Sequence, residues 1–128
     1  MRLLLDTHTF IWWDNSPQKL SQKALALCQN PENTLLLSMA SIWEIQIKLQ
    51  LGKLSLNLPL PELIETQQLI NNIELLPINL THVLTLDTLP NHHKDPFDRL
   101  LICQAIVENA VLVSGDSILA NYPVKIEW

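Results

Sequence analysis

Three short runs, Leu3-Leu4-Leu5, Leu35-Leu36-Leu37 and Val111-Leu112-Val113, are apolar at every position. A strand with one wet face alternates. A strand that is apolar throughout must be covered on both sides, the condition of a parallel sheet enclosed by helices. The segments between these runs supply the cover. The sequence predicts a strand at Arg2–Leu5, a short helix or turn at Thr9–Trp13, and a helix opened by Ser16-Pro17. That helix runs to about Gln29, with Leu20, Ala24, Leu27 and Cys28 at helical spacing. After a strand at Thr34–Ser38, Ser41 and Glu44 form the pattern of a capping box, opening a helix that reaches Leu51 and stops at Gly52. Pro61 starts a helix to about Asn71. Ile73–Ile78 reads as an edge strand or strand end because of Pro77, and Asn79 caps a short helix to about Leu86. Ala110–Ser114 and the alternating Val124–Trp128 complete the strands. Strand and helix alternate from end to end, which predicts an α/β fold with a central, mainly parallel sheet flanked by helices.

At 128 residues the length suits one domain, residues 1–128. No apolar run approaches the length of a membrane span, and Met1–Asp6 is too short and too soon interrupted for a signal peptide. Cys28 and Cys103 each fall on an apolar stripe of a helix, which reads as two reduced core residues of a cytoplasmic protein. The formal net charge of −5 argues against a passive nucleic-acid binder. That objection weakens where carboxylates cluster and bound cations neutralise them.

The sharpest local signal is Asp95-Pro96-Phe97-Asp98-Arg99, which opens a helix out of the polar loop Asn91-His92-His93-Lys94. Asp95 stands at the N-cap and Pro96 at the first helical position, where its missing N–H costs nothing. Asp98 falls in the first turn, on the face shared by Ile102 and Ala105, so its carboxylate is carried inward. Three other acids hold equivalent places. Asp6 ends the first strand, Glu44 lies in the first turn of the helix after the second, and Asp116 follows the strand ending at Ser114. In an open parallel sheet these positions gather along one rim, where ligands bind.

Each acid also has a plainer reading. Asp6, Asp98 and Asp116 suit helix caps, and Glu44 suits a partner for Ser41 or, at i+4, for Lys48. Together they are harder to explain that way, because four caps have no need to be buried beside one another. Like charges so placed cannot all stay ionised without a cation. Oxygen ligands without His or Cys company suit Mg²⁺ or Mn²⁺.

Leu5-Asp6-Thr7-His8, Ser41-Ile42-Trp43-Glu44-Ile45, His93-Lys94-Asp95-Pro96-Phe97-Asp98-Arg99-Leu100 and Leu112-Val113-Ser114-Gly115-Asp116 resemble the successive signatures of the PIN-domain nucleases. In order and spacing they are most similar to VapC-type toxins of bacterial type II toxin–antitoxin modules. The resemblance runs from Met1 to Ile126-Glu127-Trp128. It implies a PIN-like three-layer fold and an acidic quartet of Asp6, Glu44, Asp98 and Asp116, holding Mg²⁺ or Mn²⁺ as metal ligands and catalytic groups. Thr7 and Ser114 would stand nearby as substrate contacts, and Asp95 is a second acid beside the third position; apart from the resemblance, His8 beside Asp6 and Arg99 beside Asp98 are candidate substrate contacts by their positions. The resemblance further implies endoribonuclease activity, with 5′-phosphate and 3′-hydroxyl products, a cognate antitoxin lying in an apolar groove, and a homodimer. Ser114 stands where many relatives have Thr, which keeps the hydroxyl.

Arg99, Lys94, Lys48 and Lys53 are candidate phosphate contacts, though Arg99 equally suits a pair with Asp95. His92 and His93 read as polar loop, since no further His or Cys accompanies them. Trp12, Trp13 and Trp43 offer stacking surfaces for bases, but their apolar neighbours favour core packing or a protein interface. Rival classes fare worse. A noncatalytic module on the same fold predicts a lost acid, and none is missing. A phosphoacceptor receiver wants an acidic pair after the first strand, where Asp6 is followed by Thr7-His8; an Asp-x-Asp phosphatase fails at His8.

Overall fold

The computed structural model describes residues 1–128. Its strands are β1 (Arg2–Leu5), β2 (Thr34–Ser38), β3 (Glu74–Leu76), β4 (Val111–Val113) and β5 (Ile126–Glu127). Its helices are α1 (Thr7–Asn15), α2 (Gln22–Gln29), α3 (Met39–Gln50), α4 (Leu60–Asn71), α5 (Leu80–Thr85) and α6 (Pro96–Val107). The strands form one sheet in the order β3-β2-β1-β4-β5, and every pairing is parallel. From β1 the chain builds outward to β2 and β3, then returns to β4 and β5 on the other side. The seam between β1 and β4 is thus the switch point of the sheet, where the carboxyl ends of neighbouring strands open a crevice.

Residue parity along the apolar strands sorts the core into two layers. Leu3, Leu5, Leu35, Leu37, Val111 and Val113 face α1 and α2, with Phe10, Ala24, Ile45 and Leu63 filling that side. Leu4, Leu36 and Leu112 face the other way, onto Leu101, Ile102, Cys103 and Ala105 of α6. Both cysteines are buried and free, as their positions on apolar stripes led us to expect. No helix is long and apolar enough to cross a membrane.

Helix starts differ from expectation: α1 begins at Thr7 rather than Thr9, and α4 at Leu60 rather than Pro61. Ser16-Pro17 opens only one 3₁₀ turn, Pro17–Lys19, and α2 begins afresh with Ser21 accepting from Ala24 N–H. More consequentially, α3 begins at Met39, capped by the Ser38 hydroxyl. The capping box of Ser41 and Glu44 does not form. The buried Ser38 hydroxyl, anchored by the Gln104 side chain of α6, sits closer to the strand end and wins the cap. Glu44 therefore lies in the second turn, and its carboxylate is not spent on a backbone N–H.

Candidate metal and active site

Asp6 is where β1 becomes α1. Its backbone N–H donates to the Val113 carbonyl at 3.1 Å, extending the β1–β4 ladder by one bond. Its Oδ1 accepts from Thr9 N–H at 2.7 Å, capping α1. Across the seam, the turn after β4 is set by Ser114 Oγ, which accepts from Asp116 N–H at 3.1 Å. Asp116 Oδ1 accepts from Ile118 N–H at 3.0 Å, leaving Oδ2 to face the site. Asp98 enters from the first turn of α6, where its N–H and that of Phe97 both donate to Asp95 Oδ1. Asp95 is thereby committed as the N-cap.

Asp98 and Asp116 share one partner. His93 Nε2 lies 3.0 Å from Asp98 Oδ2 and 3.1 Å from Asp116 Oδ2. His93 Nδ1 accepts from Asp95 N–H at 3.1 Å, so the ring proton belongs on Nε2, which donates to the two carboxylates. The three groups are close enough to hold an ion. The Asp95 N–H nevertheless occupies the lone pair of Nδ1, and Nε2 cannot both donate and ligate. His93 is placed as a clamp on two carboxylates rather than as a third donor.

Glu44 approaches from α3, near enough for its charge to raise the Asp98 carboxyl but outside the close group of His93, Asp98 and Asp116. Its Oε2 pairs with Lys48 at 3.4 Å, while Oε1 is buried with no hydrogen-bond partner. Burial is the main reason the Asp98 carboxyl titrates at about 7 rather than 3.8. Asp95, Asp6 and Glu44 raise it further, against an opposing pull from His93. Crowded carboxylates, one carrying an orphaned buried oxygen, lack positive charge. An all-oxygen donor set from Asp6, Glu44, Asp98 and Asp116 fits a hard divalent cation such as Mg²⁺ or Mn²⁺.

Asp6 and Asp116 also border an open groove of about 400 Å³, lined by His8, Thr9, Trp12, Lys19, Gly115 and Trp128. The remaining candidate residues fall outside it. Thr7 is buried and donates to Ser41 Oγ at 3.0 Å, tying α1 to α3. Ser114 is buried beneath the Asp116 turn. Arg99 does not pair with Asp95; its Nη1 donates to the Pro90 carbonyl at 2.9 Å and to Tyr122 Oη at 3.3 Å. Lys53 and Lys94 are exposed. Trp43 is no core residue: it is 60% exposed, with its ring edge-on to Phe97 at 5.2 Å.

The sequence reading of His93 as polar loop misses its contacts with Asp98 and Asp116, and nothing in the sequence singles out Tyr122, Lys19 or the facing of Trp128. Tyr122 is buried, and its hydroxyl oxygen accepts from His92 N–H, His93 N–H and Arg99. It is the post on which the loop carrying His93 is hung. A lone loop histidine or a tyrosine among small residues has no periodicity to announce such a role.

Fold and site together define a class: a parallel α/β protein with acids converging at the switch point of its sheet. The model of the PIN domain matches residues 3–125, and the chain belongs to the PIN-domain family. Ribonuclease VapC22 of Mycobacterium tuberculosis is 31% identical over 121 residues, covering 94% of this chain and 91% of that protein. The fold matches VapBC2 of Rickettsia felis, solved bound to a DNA fragment from its promoter, with a TM-score of 0.73 at 18% identity over 99% of this chain and 98% of that one. It also matches VapBC-5 of Mycobacterium tuberculosis, a member of the VapBC family of toxin–antitoxin systems, with a TM-score of 0.60 at 15% identity over 98% and 95%. The PIN-like three-layer arrangement expected from the sequence is the one observed.

Proposed function

We propose that this chain is a divalent-metal-dependent endoribonuclease, the toxin of a toxin–antitoxin pair, hydrolysing RNA phosphodiester bonds at the carboxylate cluster. The observation that carries the reading is the buried, partnerless Glu44 Oε1 beside an Asp98 carboxyl pushed up to about 7. Such a site is built for a cation. Asp6, Glu44, Asp98 and Asp116 would hold Mg²⁺ or Mn²⁺, with Asp6 and Asp98 as direct ligands and the other two completing the shell directly or through water. When bound, the cation supplies Lewis acidity toward water and toward the phosphoryl oxygens.

The protein's own groups do the rest. The α1 cap fixes the Asp6 carboxylate on the seam, and the His93 clamp keeps Asp98 and Asp116 together despite their repulsion. Lys48 offsets the charge of Glu44 without filling its second oxygen. Lys19 and His8 line the open side of Asp6 and Asp116, where a phosphodiester backbone would pass. The buried Thr7 and Ser114 shape the site rather than touch substrate. The products would carry a 5′-phosphate and a 3′-hydroxyl. The kinship with VapC22 and the VapBC structures supports an antitoxin partner, and we extend the same reading to a cytoplasmic homodimer whose single domain spans residues 1–128.

Sequencing of RNA ends after brief expression tests this reading. The wild-type chain should generate new 5′-phosphate ends at defined sites, and a folded Asp6→Asn variant none. Equal ends from both would overturn it.

A further inference from the structure

One wall of the groove at the carboxylate cluster is aromatic, and hydrolysis by four acids has no need of it. Trp12 projects from α1 and Trp128 from the segment after β5, with ring centroids 6.1 Å apart and planes inclined at 54°. His8, exposed at the start of α1, lies 5.8 Å from Trp12. The Lys19 ammonium stands 6.0 Å from the Trp12 centroid. Trp128 is held by contact: a Cβ built on Gly115 would come within 2.8 Å of its ring, so the indole lies directly on the Gly115-Asp116 turn. The wall is therefore registered to Asp116 through backbone, and to Asp6 through the first turns of α1.

These tryptophans differ from Trp13, which also packs partly on the core but does not line the groove. Trp12 and Trp128 keep half-buried rings along an opening of about 400 Å³, a volume within the roughly 300–1,000 Å³ of small-ligand pockets. Inclined aromatic faces beside a cation and a carboxylate cluster match one occupant: a nucleotide of single-stranded RNA, with its base on the rings and its phosphate toward the cation.

We propose that Trp12, Trp128 and His8 form a nucleobase subsite, which takes the unpaired base flanking the scissile phosphate while Lys19 holds a neighbouring phosphate. The subsite rests on the ribonuclease reading for its place in catalysis, but not for its ability to bind. A stacked base next to the cut restricts cleavage to unpaired RNA and fixes which bond meets the acids. Any base preference at that one position is modest, because every base offers a π-face to the rings.

The test uses the full chain and short single-stranded RNA oligonucleotides of defined sequence. Binding is read by tryptophan fluorescence in EDTA, and cleavage with Mn²⁺ added. Trp12→Leu, which keeps apolar packing, should weaken binding about 10-fold and raise KM similarly with little change in kcat. Trp12→Phe should restore most of both. Mn²⁺ affinity by calorimetry should be the same in all three proteins. Wild-type RNA affinity and KM in a folded Trp12→Leu protein would overturn the subsite while leaving the nuclease standing. RNA binding that depends on Trp12 in a wild-type chain that cleaves no RNA would support the subsite and overturn the nuclease. Absence of any RNA binding by the wild type would remove the subsite outright.

Discussion

The imidazole Nε2 of His93 stands 3.0 Å from Oδ2 of Asp98, and the same nitrogen reaches Asp116. Because Asp95 N–H occupies Nδ1, this contact is a donated hydrogen bond that holds two repelling carboxylates ready for a cation. Groups that orient metal ligands in this way typically govern affinity by about 10–100-fold. His93→Ala should therefore weaken Mn²⁺ binding by about that factor in calorimetry. His93→Gln, which retains a donor, should recover part of it. Unchanged affinity in His93→Ala would mean that the clamp is idle.

Asp98 ties stability to pH. Its carboxyl titrates at about 7 in the folded chain against 3.8 ordinarily, chiefly through burial. The native state consequently holds this proton more tightly than the unfolded state does. The sign follows: the group's contribution to stability falls as pH rises from about 4 to about 7, and the full penalty applies above that. In EDTA, Asp98→Asn should melt higher than wild type at pH 8, by on the order of 5 °C. The gap should close as the pH is lowered toward 4. A constant gap across that range would place the origin of the effect elsewhere.

Gly115 and Trp128 are matched. A methyl group at Gly115 would meet the Trp128 ring at 2.8 Å, so Gly115→Ala should cost about 1–3 kcal/mol in urea unfolding. Combining it with Trp128→Leu should give less than the sum of the two single losses, since the smaller side chain vacates the space. Strict additivity would show that the two residues do not press on each other.

Tyr122 offers a second route to the clamp. Removing its hydroxyl in Tyr122→Phe strips the acceptor from His92 N–H, His93 N–H and Arg99. The loss should destabilise the chain by about 1–3 kcal/mol and weaken Mn²⁺ binding in the same direction as His93→Ala. Lost stability with intact metal affinity would separate the loop from the site.

Much of this arrangement could be read from residues in order, and the remainder fails for identifiable reasons. The continuous apolar strands announced the parallel sheet, and Asp95-Pro96 placed the start of α6. The face shared by Asp98, Ile102 and Ala105 pointed the acid inward, where the last two are buried. The four acids lie toward one rim, since the charges of Asp6 and Glu44 raise Asp98, Asp98 shares His93 with Asp116, and Asp6 and Asp116 border one groove, while only Asp98, Asp116 and His93 bring ligand atoms within 4.8 Å of one another. What escaped was decided by contacts distant in sequence. Gln104 secures the Ser38 cap and moves the start of α3, so Glu44 gains a free oxygen that a capping box would have consumed. His93 reads as ordinary loop until Tyr122 and Asp95 aim it. Arg99, beside Asp98 in sequence, points about a third of a turn away and donates to the Pro90 carbonyl and Tyr122 hydroxyl.

If Asp6, Glu44, Asp98 and Asp116 share a divalent cation, the metal-free chain takes it up saturably and loses affinity when one acid is neutralised. Calorimetric titration of the metal-free chain with Mn²⁺ tests this most directly, with Asp6→Asn and Asp98→Asn run alongside. Saturable binding to the wild type is expected, weakened at least about 10-fold in each folded variant. Absence of saturable binding to the wild type, or affinities in both variants equal to it, would mean that these acids do not form a cation site.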